Sequence, residues 1–432
     1  MGIDRRELIV GAGLAGLAGQ GLLASAATAQ QPAPAPAPPQ PSRAERLTAA
    51  ALNARQRLGF ANGQFFGPAW ETLLARGREA RFFLLGEEHG IAENPKLAAA
   101  LFVALHPAGY RKIAIEISPP MAEAIDYAMM DGGINALRQM LADESSRVAF
   151  FGLREEAEWL AVARNAVPGR VPLLWGFDYE VGADRHLIRM MKAKTKPAAA
   201  ETALAALETA SHASWARYNE TRNPQYVFSF SGDPALVRAV RDAWPRADAR
   251  TRAMLDTLEA TLEINRLWVS GRGWESNVRR AAFLRSNFAG LWRLERRARR
   301  DSRVFMKFGA SHMIRGLNPT DTFDIGAMAP EIAALDGDKS FHLLVLAGPT
   351  SQTSNLDPTT FTYRAGIRDQ YQGGMEVIAQ AAWPDAFTLF DTTPLRPIAR
   401  SNARDLHPEL ARAIHGFDAI LVMSGSTPAA NL

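Results

Sequence analysis

Apolar residues along this chain fall into two kinds of pattern. Seven short runs are dense in Val, Ile, Leu and Phe: residues 81–87, 112–117, 171–177, 304–309, 341–347, 386–390 and 417–423. Several are near-continuous, as expected for strands covered on both faces. Between the early runs the spacing turns helical. A helix is expected from Ala44 through Arg57, others at 95–105 and 121–130, and one at 155–165 before the third run. This alternation predicts βαβ units, hence an α/β fold with a mostly parallel central sheet flanked by helices. Residues at about 184–300 break the rhythm. Ala, Leu, Arg and Glu dominate there, and helices are expected at 183–194, 198–218, 234–244, 250–269 and 275–297, punctuated by Asn223-Pro224 and Gly232-Asp233-Pro234. Residues 350–374 are polar and read as a loop-rich lid or crossover. The folded domain is expected over 44–425, with 426–432 as a tail.

The amino terminus has its own pattern. Arg5-Arg6, a mildly apolar Gly/Ala/Leu stretch from Leu8 to Leu23 and the small residues Ala27-Thr28-Ala29 read as an export signal over 1–29, of the twin-arginine type. A periplasmic or secreted location is therefore expected. The stretch is too short and too weakly hydrophobic to span a membrane stably. Residues 30–43 form a Pro/Ala-rich linker of polyproline character. Gly11-Ala12-Gly13-Leu14-Ala15-Gly16 matches the dinucleotide fingerprint. That motif needs a following helix, a second strand and an acidic residue, and the Pro/Ala tract supplies none of them.

Charge and composition narrow the chemistry. The formal net charge is +4, from 49 basic and 45 acidic residues spread along the chain, and does not argue for nucleic acid. The one dense basic run, Arg296-Arg297-Ala298-Arg299-Arg300, suits a helix carboxyl end. Cysteine is absent, which excludes disulfides, thiolate metal sites and cysteine nucleophiles. There is no G-x-S-x-G elbow, no P-loop and no H-E-x-x-H helix.

What remains lies at the ends of the apolar runs. The first delivers Glu87, Glu88 and His89, the second Glu116, the third Asp178 and Glu180, and the fourth His312. Parallel strands would gather these groups along one sheet edge, where open α/β sheets bind ligands. Glu116 sits between isoleucines and is costly to bury without a partner. Arg272, Glu275 and Asn277 open the helix that leads into the fourth run, so Arg272 is expected to reach the same edge. His106, His186, His212, His342, His407 and His415 lack such a setting and read as structural.

Gly86-Glu87-x-His89-Gly90, Glu116, the Arg272/Glu275/Asn277 group and Gly309-Ala310-Ser311-His312, in that order, resemble the erythromycin esterase branch of the ChaN/Tiki-like superfamily. The spacing of Glu87 and His89, with Asn94-Pro95 after them, is similar to the haem-binding branch. The resemblance implies an α/β core with a helical insertion. It also implies either of two functions. In the first, an exported hydrolase acts on an ester of a small-molecule substrate and requires no cofactor. His89 is its general base, Glu116 orients it, Glu87 positions water, His312 and Arg272 stabilise the oxyanion, and Asp178, Glu275 and Asn277 bind substrate. In the second, an envelope protein binds haem or a divalent metal through Glu87, His89, Glu116 and His312 without catalysis.

Overall fold

The computed structural model describes residues 41–367, 373–400 and 405–432. The export signal and the linker up to residue 40 lie outside the described residues. The strands are β1 (Arg55–Ala61), β2 (Gln64–Phe66), β3 (Ala80–Glu87), β4 (Tyr110–Ile115), β5 (Leu174–Gly176), β6 (Arg303–Gly309), β7 (Lys339–Ala347), β8 (Gln352–Asp357), β9 (Thr362–Ile367), β10 (Phe387–Asp391) and β11 (Ala419–Met423). Nine of them form one sheet, ordered β2-β1-β10-β11-β7-β3-β6-β4-β5, while β8 and β9 pair separately. From β11 to β5 every pairing is parallel. Only the β2-β1-β10 edge and its junction with β11 are antiparallel. The fold class expected from the pattern is the one observed.

Alternation along the central strands explains their near-continuous hydrophobicity. Phe83 and Leu85 of β3 join one core with Phe305, Ile113 and the helices Glu93–Leu105 and Arg154–Ala166. Phe82 and Leu84 join a second core, on the other face, with Leu284, Phe288 and Trp292 of the helix Gly273–Ala298. Both faces are covered, so apolar residues dominate both alternating sets until the strands end. The insertion is helical as expected: Asp184–Lys192, Ala198–Thr221, Phe228–Ser231, Pro234–Ala243, Ala249–Val269 and Gly273–Ala298. Among the described residues no helix is long and apolar enough to cross a membrane.

Local expectations fail in instructive places. The first helix ends at Ala54, and residues 55–57 begin β1 instead. There Arg55 and Arg57 lie over the Trp383 ring, and Asn62-Gly63, both at positive φ, make the tight turn into β2. The third run shrinks to Leu174–Gly176. Pro172 removes a ladder donor, and the amides of Leu173 and Leu174 donate to Asp126 Oδ2 at 2.6 and 3.2 Å. The 350–374 stretch is chiefly the β8–β9 hairpin; residues 368–372 lie outside the described ones. Residues 427–432 pack as a strap. The Ala92 N–H donates to Thr427 O, the Ala429 N–H to Gly90 O, and the Leu432 N–H to Gly152 O, each at 2.9 Å.

Candidate active site

The site lies beyond the carboxyl ends of β3, β6, β4 and β5, four consecutive strands of the sheet. Register explains the convergence. Glu87 pairs with Gly309 across β3–β6, and Ile115 with Lys307 across β4–β6. Glu116, one residue beyond β4, therefore faces the turn after β6. Its Oε2 accepts the Gly309 N–H at 2.6 Å. A side chain at Gly309 would have its Cβ 2.8 Å from His89 Nε2, so glycine is what lets the two strand ends close around the imidazole.

Glu116 is the hub. Its Oε1 accepts from Arg280 Nη2 at 3.0 Å and faces His312 Nε2 at 3.3 Å, while Oε2 lies 3.6 Å from His89 Nε2. Burial pushes this carboxyl up, but His312, His89 and Arg280 together hold it well below the usual carboxylate range. His312 is fixed on its other side by Asp324 Oδ2, 2.7 Å from Nδ1. Burial disfavours its charge, yet Asp324 and Glu116 raise its pKa to about 10, so it is an imidazolium at neutral pH. Asp178 accepts from Arg280 Nε at 3.0 Å and also from Nη2.

His89 stands at the edge of this group, with about a third of its side chain exposed. Nδ1 meets Glu87 Oε1 at 3.0 Å, and the ring stacks on Phe150 with centroids 3.8 Å apart. Burial lowers its pKa, but Glu87 and Glu116 outweigh burial and raise it above the ordinary imidazole value. Glu87 is itself oriented: Lys307 Nζ donates to Oε1 at 2.6 Å and Asn94 Nδ2 to Oε2 at 3.2 Å. Lys307 also donates to Glu156 at 2.6 Å. Burial and the Glu87 charge outweigh Lys307 and lift Glu156 to about 6. Despite its burial, Lys307 is held above its usual range by Glu156 and Glu87.

The expected residues Glu87, His89, Glu116, Asp178 and His312 are thus brought together. Arg272 is not. It precedes the helix Gly273–Ala298 at the N-cap position without a side-chain capping bond, paired with Glu275 at 3.1 Å, and both side chains are exposed. The arginine of the site is Arg280, two turns further along. The apolar stripe Leu284–Phe288–Trp292, extended back by one four-residue step, ends at Arg280 and marks it as sheet-facing. Asn277 lines a groove next to Arg280. Glu180 lines the cleft but accepts from Ser118 and the Gly182 and Ala183 amides, a loop-holding arrangement. Glu88, one residue out of phase with Glu87, turns to the other side and accepts the Ala347 N–H at 3.0 Å. His342 and His186, expected to be structural, are pushed down by burial to about 3 and 4.

Besides Arg280, four participants escaped the sequence reading. Lys307 was detectable as a lone cation inside an apolar strand. Asp324 was detectable only as the N-cap of Ile325–Leu335, where its Oδ1 accepts the Ile325 N–H. Glu156 looks like an ordinary first-turn helix carboxylate. Phe150, with φ of +64°, carries no sequence signal at all.

Three solved structures share this architecture. An erythromycin esterase mutant in its open conformation matches with a TM-score of 0.55 at 16% identity, over 84% of this chain and 94% of that one. The chain has the erythromycin esterase fold. A Bacillus cereus protein matches at 0.56 and 12% identity, over 91% of this chain and 100% of that chain. A succinoglycan biosynthesis protein matches at 0.57 and 12% identity, over 90% and 98%. No family model matches the chain, and no curated protein does. A shared fold does not fix chemistry, which depends on the side chains of the site.

Those side chains fit a bound metal poorly. Glu116, Asp178 and His312 offer ligand atoms within 4.8 Å of one another. Both carboxylates already hold the Arg280 guanidinium, which occupies the cationic role. Each nitrogen of His312 already faces a carboxylate, and a metal ligand needs one such nitrogen free. His89 is held by Glu87 at Nδ1 and leaves Nε2 open, 3.6 Å from Glu116.

Proposed function

We propose that this chain is a hydrolase of uncharged esters that activates water with His89 and needs no metal. The observation that carries the reading is the polarity of the His89 ring. Nδ1 is engaged by an oriented carboxylate, Glu87, at 3.0 Å, while Nε2 is 3.6 Å from Glu116, beyond hydrogen-bond length. Neutral His89 then keeps its proton on Nδ1 and offers Nε2 as base, the tautomer control used by carboxylate–histidine pairs.

In the step this supports, Nε2 takes a proton from water as the water oxygen bonds to the acyl carbon. The carbonyl electron pair moves onto its oxygen. Arg280 retains Nη1, without a partner among the described contacts, for that developing charge, and the His312 imidazolium adds to the local field. Collapse of the tetrahedral intermediate breaks the bond to the alcohol oxygen, which takes the proton from His89. Acid and alcohol leave.

The test is kcat/KM for a chromogenic ester against pH. The rate should rise as His89 loses its proton, with a midpoint above the free imidazole value of about 6.5, because Glu87 and Glu116 raise it. It should fall again as His312 loses its proton near about 10. A rate that is flat from pH 5 to 8 contradicts the assignment of His89 as base.

A further inference from the structure

The cleft beside Glu116 does not end there. It measures about 190 Å³ and shares Tyr179 and Arg280 with an outer groove of about 370 Å³. The groove wall adds Phe230, Ile264 and Trp268. Two of its polar side chains are turned to the backbone, Asn265 donating to Ser229 O at 2.9 Å and Ser276 to Ile264 O at 2.8 Å, while Asn277 and Tyr179 complete the wall beside Arg280. The charged groups are largely satisfied. Arg280 is shared between Asp178 and Glu116, and Glu180 is held by Ser118 and two backbone amides.

Trp268 on this wall is 56% exposed, and Trp274 and Phe323 are 59% and 57% exposed. Short contacts connect the three regions. The Trp268 ring lies against Gly273, Trp274 Nε1 reaches Asp321 O at 3.4 Å, and Phe323 precedes the Asp324 that holds His312. A large exposed aromatic on the wall of a cleft, as Trp268 is, suits a binding surface.

We propose that this groove takes the acyl chain of an uncharged ester whose carbonyl lies by Arg280, with Trp268 as the outer wall of the chain site. This rests on the hydrolase reading above and names its substrate class. A chain running from the carbonyl past Tyr179 to Trp268 is buried progressively. Arg280, the one cation among the groove's lining residues, stands where groove and cleft join and is already shared by two carboxylates, so a carboxylate at the far end of the chain would meet no cation on the wall.

The experiment has two arms. In the first, 4-nitrophenyl esters from acetate to octanoate are compared. The expected kcat/KM rises about threefold for each added methylene until the groove is full, and the monosuccinate ester falls below the uncharged butyrate. Trp268→Ala, at a half-exposed position and with its melting temperature checked, should cut the octanoate-to-acetate ratio about tenfold. In the second arm, calorimetry measures binding of 1-octanol and 1-butanol, which needs no turnover. Octanol should bind tighter than butanol, and Trp268→Ala should erase the difference. Hydrolysis with no chain-length dependence overturns the groove assignment while leaving the hydrolase reading intact. Chain-dependent alcohol binding without hydrolysis of any ester supports the groove and removes the catalytic reading. Equal binding of the two alcohols overturns the groove regardless of activity.

Discussion

Lys307 is the cation on which the buried half of the site depends. It joins Glu87 and Glu156 at 2.6 Å each, with only 4% of its side chain exposed. Removing one partner from a buried ion pair leaves the others desolvated and uncompensated, at a cost of about 3–5 kcal/mol. Lys307→Met should therefore destabilise the protein by about that amount, read as a lower urea midpoint at unchanged slope. A loss below about 1 kcal/mol would mean that the two carboxylates protonate and tolerate its absence. Glu156, already lifted to about 6, is the group expected to take up that proton first.

At the scale of elements, the site loops are held by parts of the chain remote in sequence. Phe150 adopts a left-handed backbone conformation, uncommon for a bulky residue. Its N–H donates to Tyr363 Oη of β9 at 2.8 Å, which helps to keep the ring against His89. Asn431 in turn bonds Tyr363 at both its N–H and its carbonyl. Tyr363→Phe should cost about 1 kcal/mol in stability and lower kcat more than it raises KM, because the His89 ring loses its fixed platform. Unchanged kcat would show that the Phe150 stack is ornamental to turnover. These couplings also mark where sequence reading stopped. The central strands and the strand-end residues Glu87, Glu116 and His312 were legible because apolar runs and their polar ends are local signals. The β8–β9 hairpin was missed because it pairs with no hydrophobic sheet, and alternation there is weak. The Asn62-Gly63 turn was legible in principle, yet the preceding helical pattern was carried three residues too far. Arg280 was not singled out, because which arginine of this helix faces the site turns on helix phase, which fixes the side-chain direction only once the helix start is known.

The molecule as a whole places acids and bases from β3, β4, β5, β6 and two distant helices at one sheet edge, with Glu116 bonded or close to His89, His312 and Arg280 together. Such a cluster holds its charges in a nearly balanced set and leaves one exposed imidazole to exchange protons with a guest. The most direct test of that account is ester turnover by the wild-type chain and by His89→Ala, both in excess chelator, with folding checked by circular dichroism. The account predicts that the wild type hydrolyses at an undiminished rate, and that His89→Ala loses at least about a hundredfold in kcat while its fold and melting temperature persist. Full turnover by His89→Ala, or a wild-type activity that vanishes in chelator and returns only with a divalent ion, would contradict it.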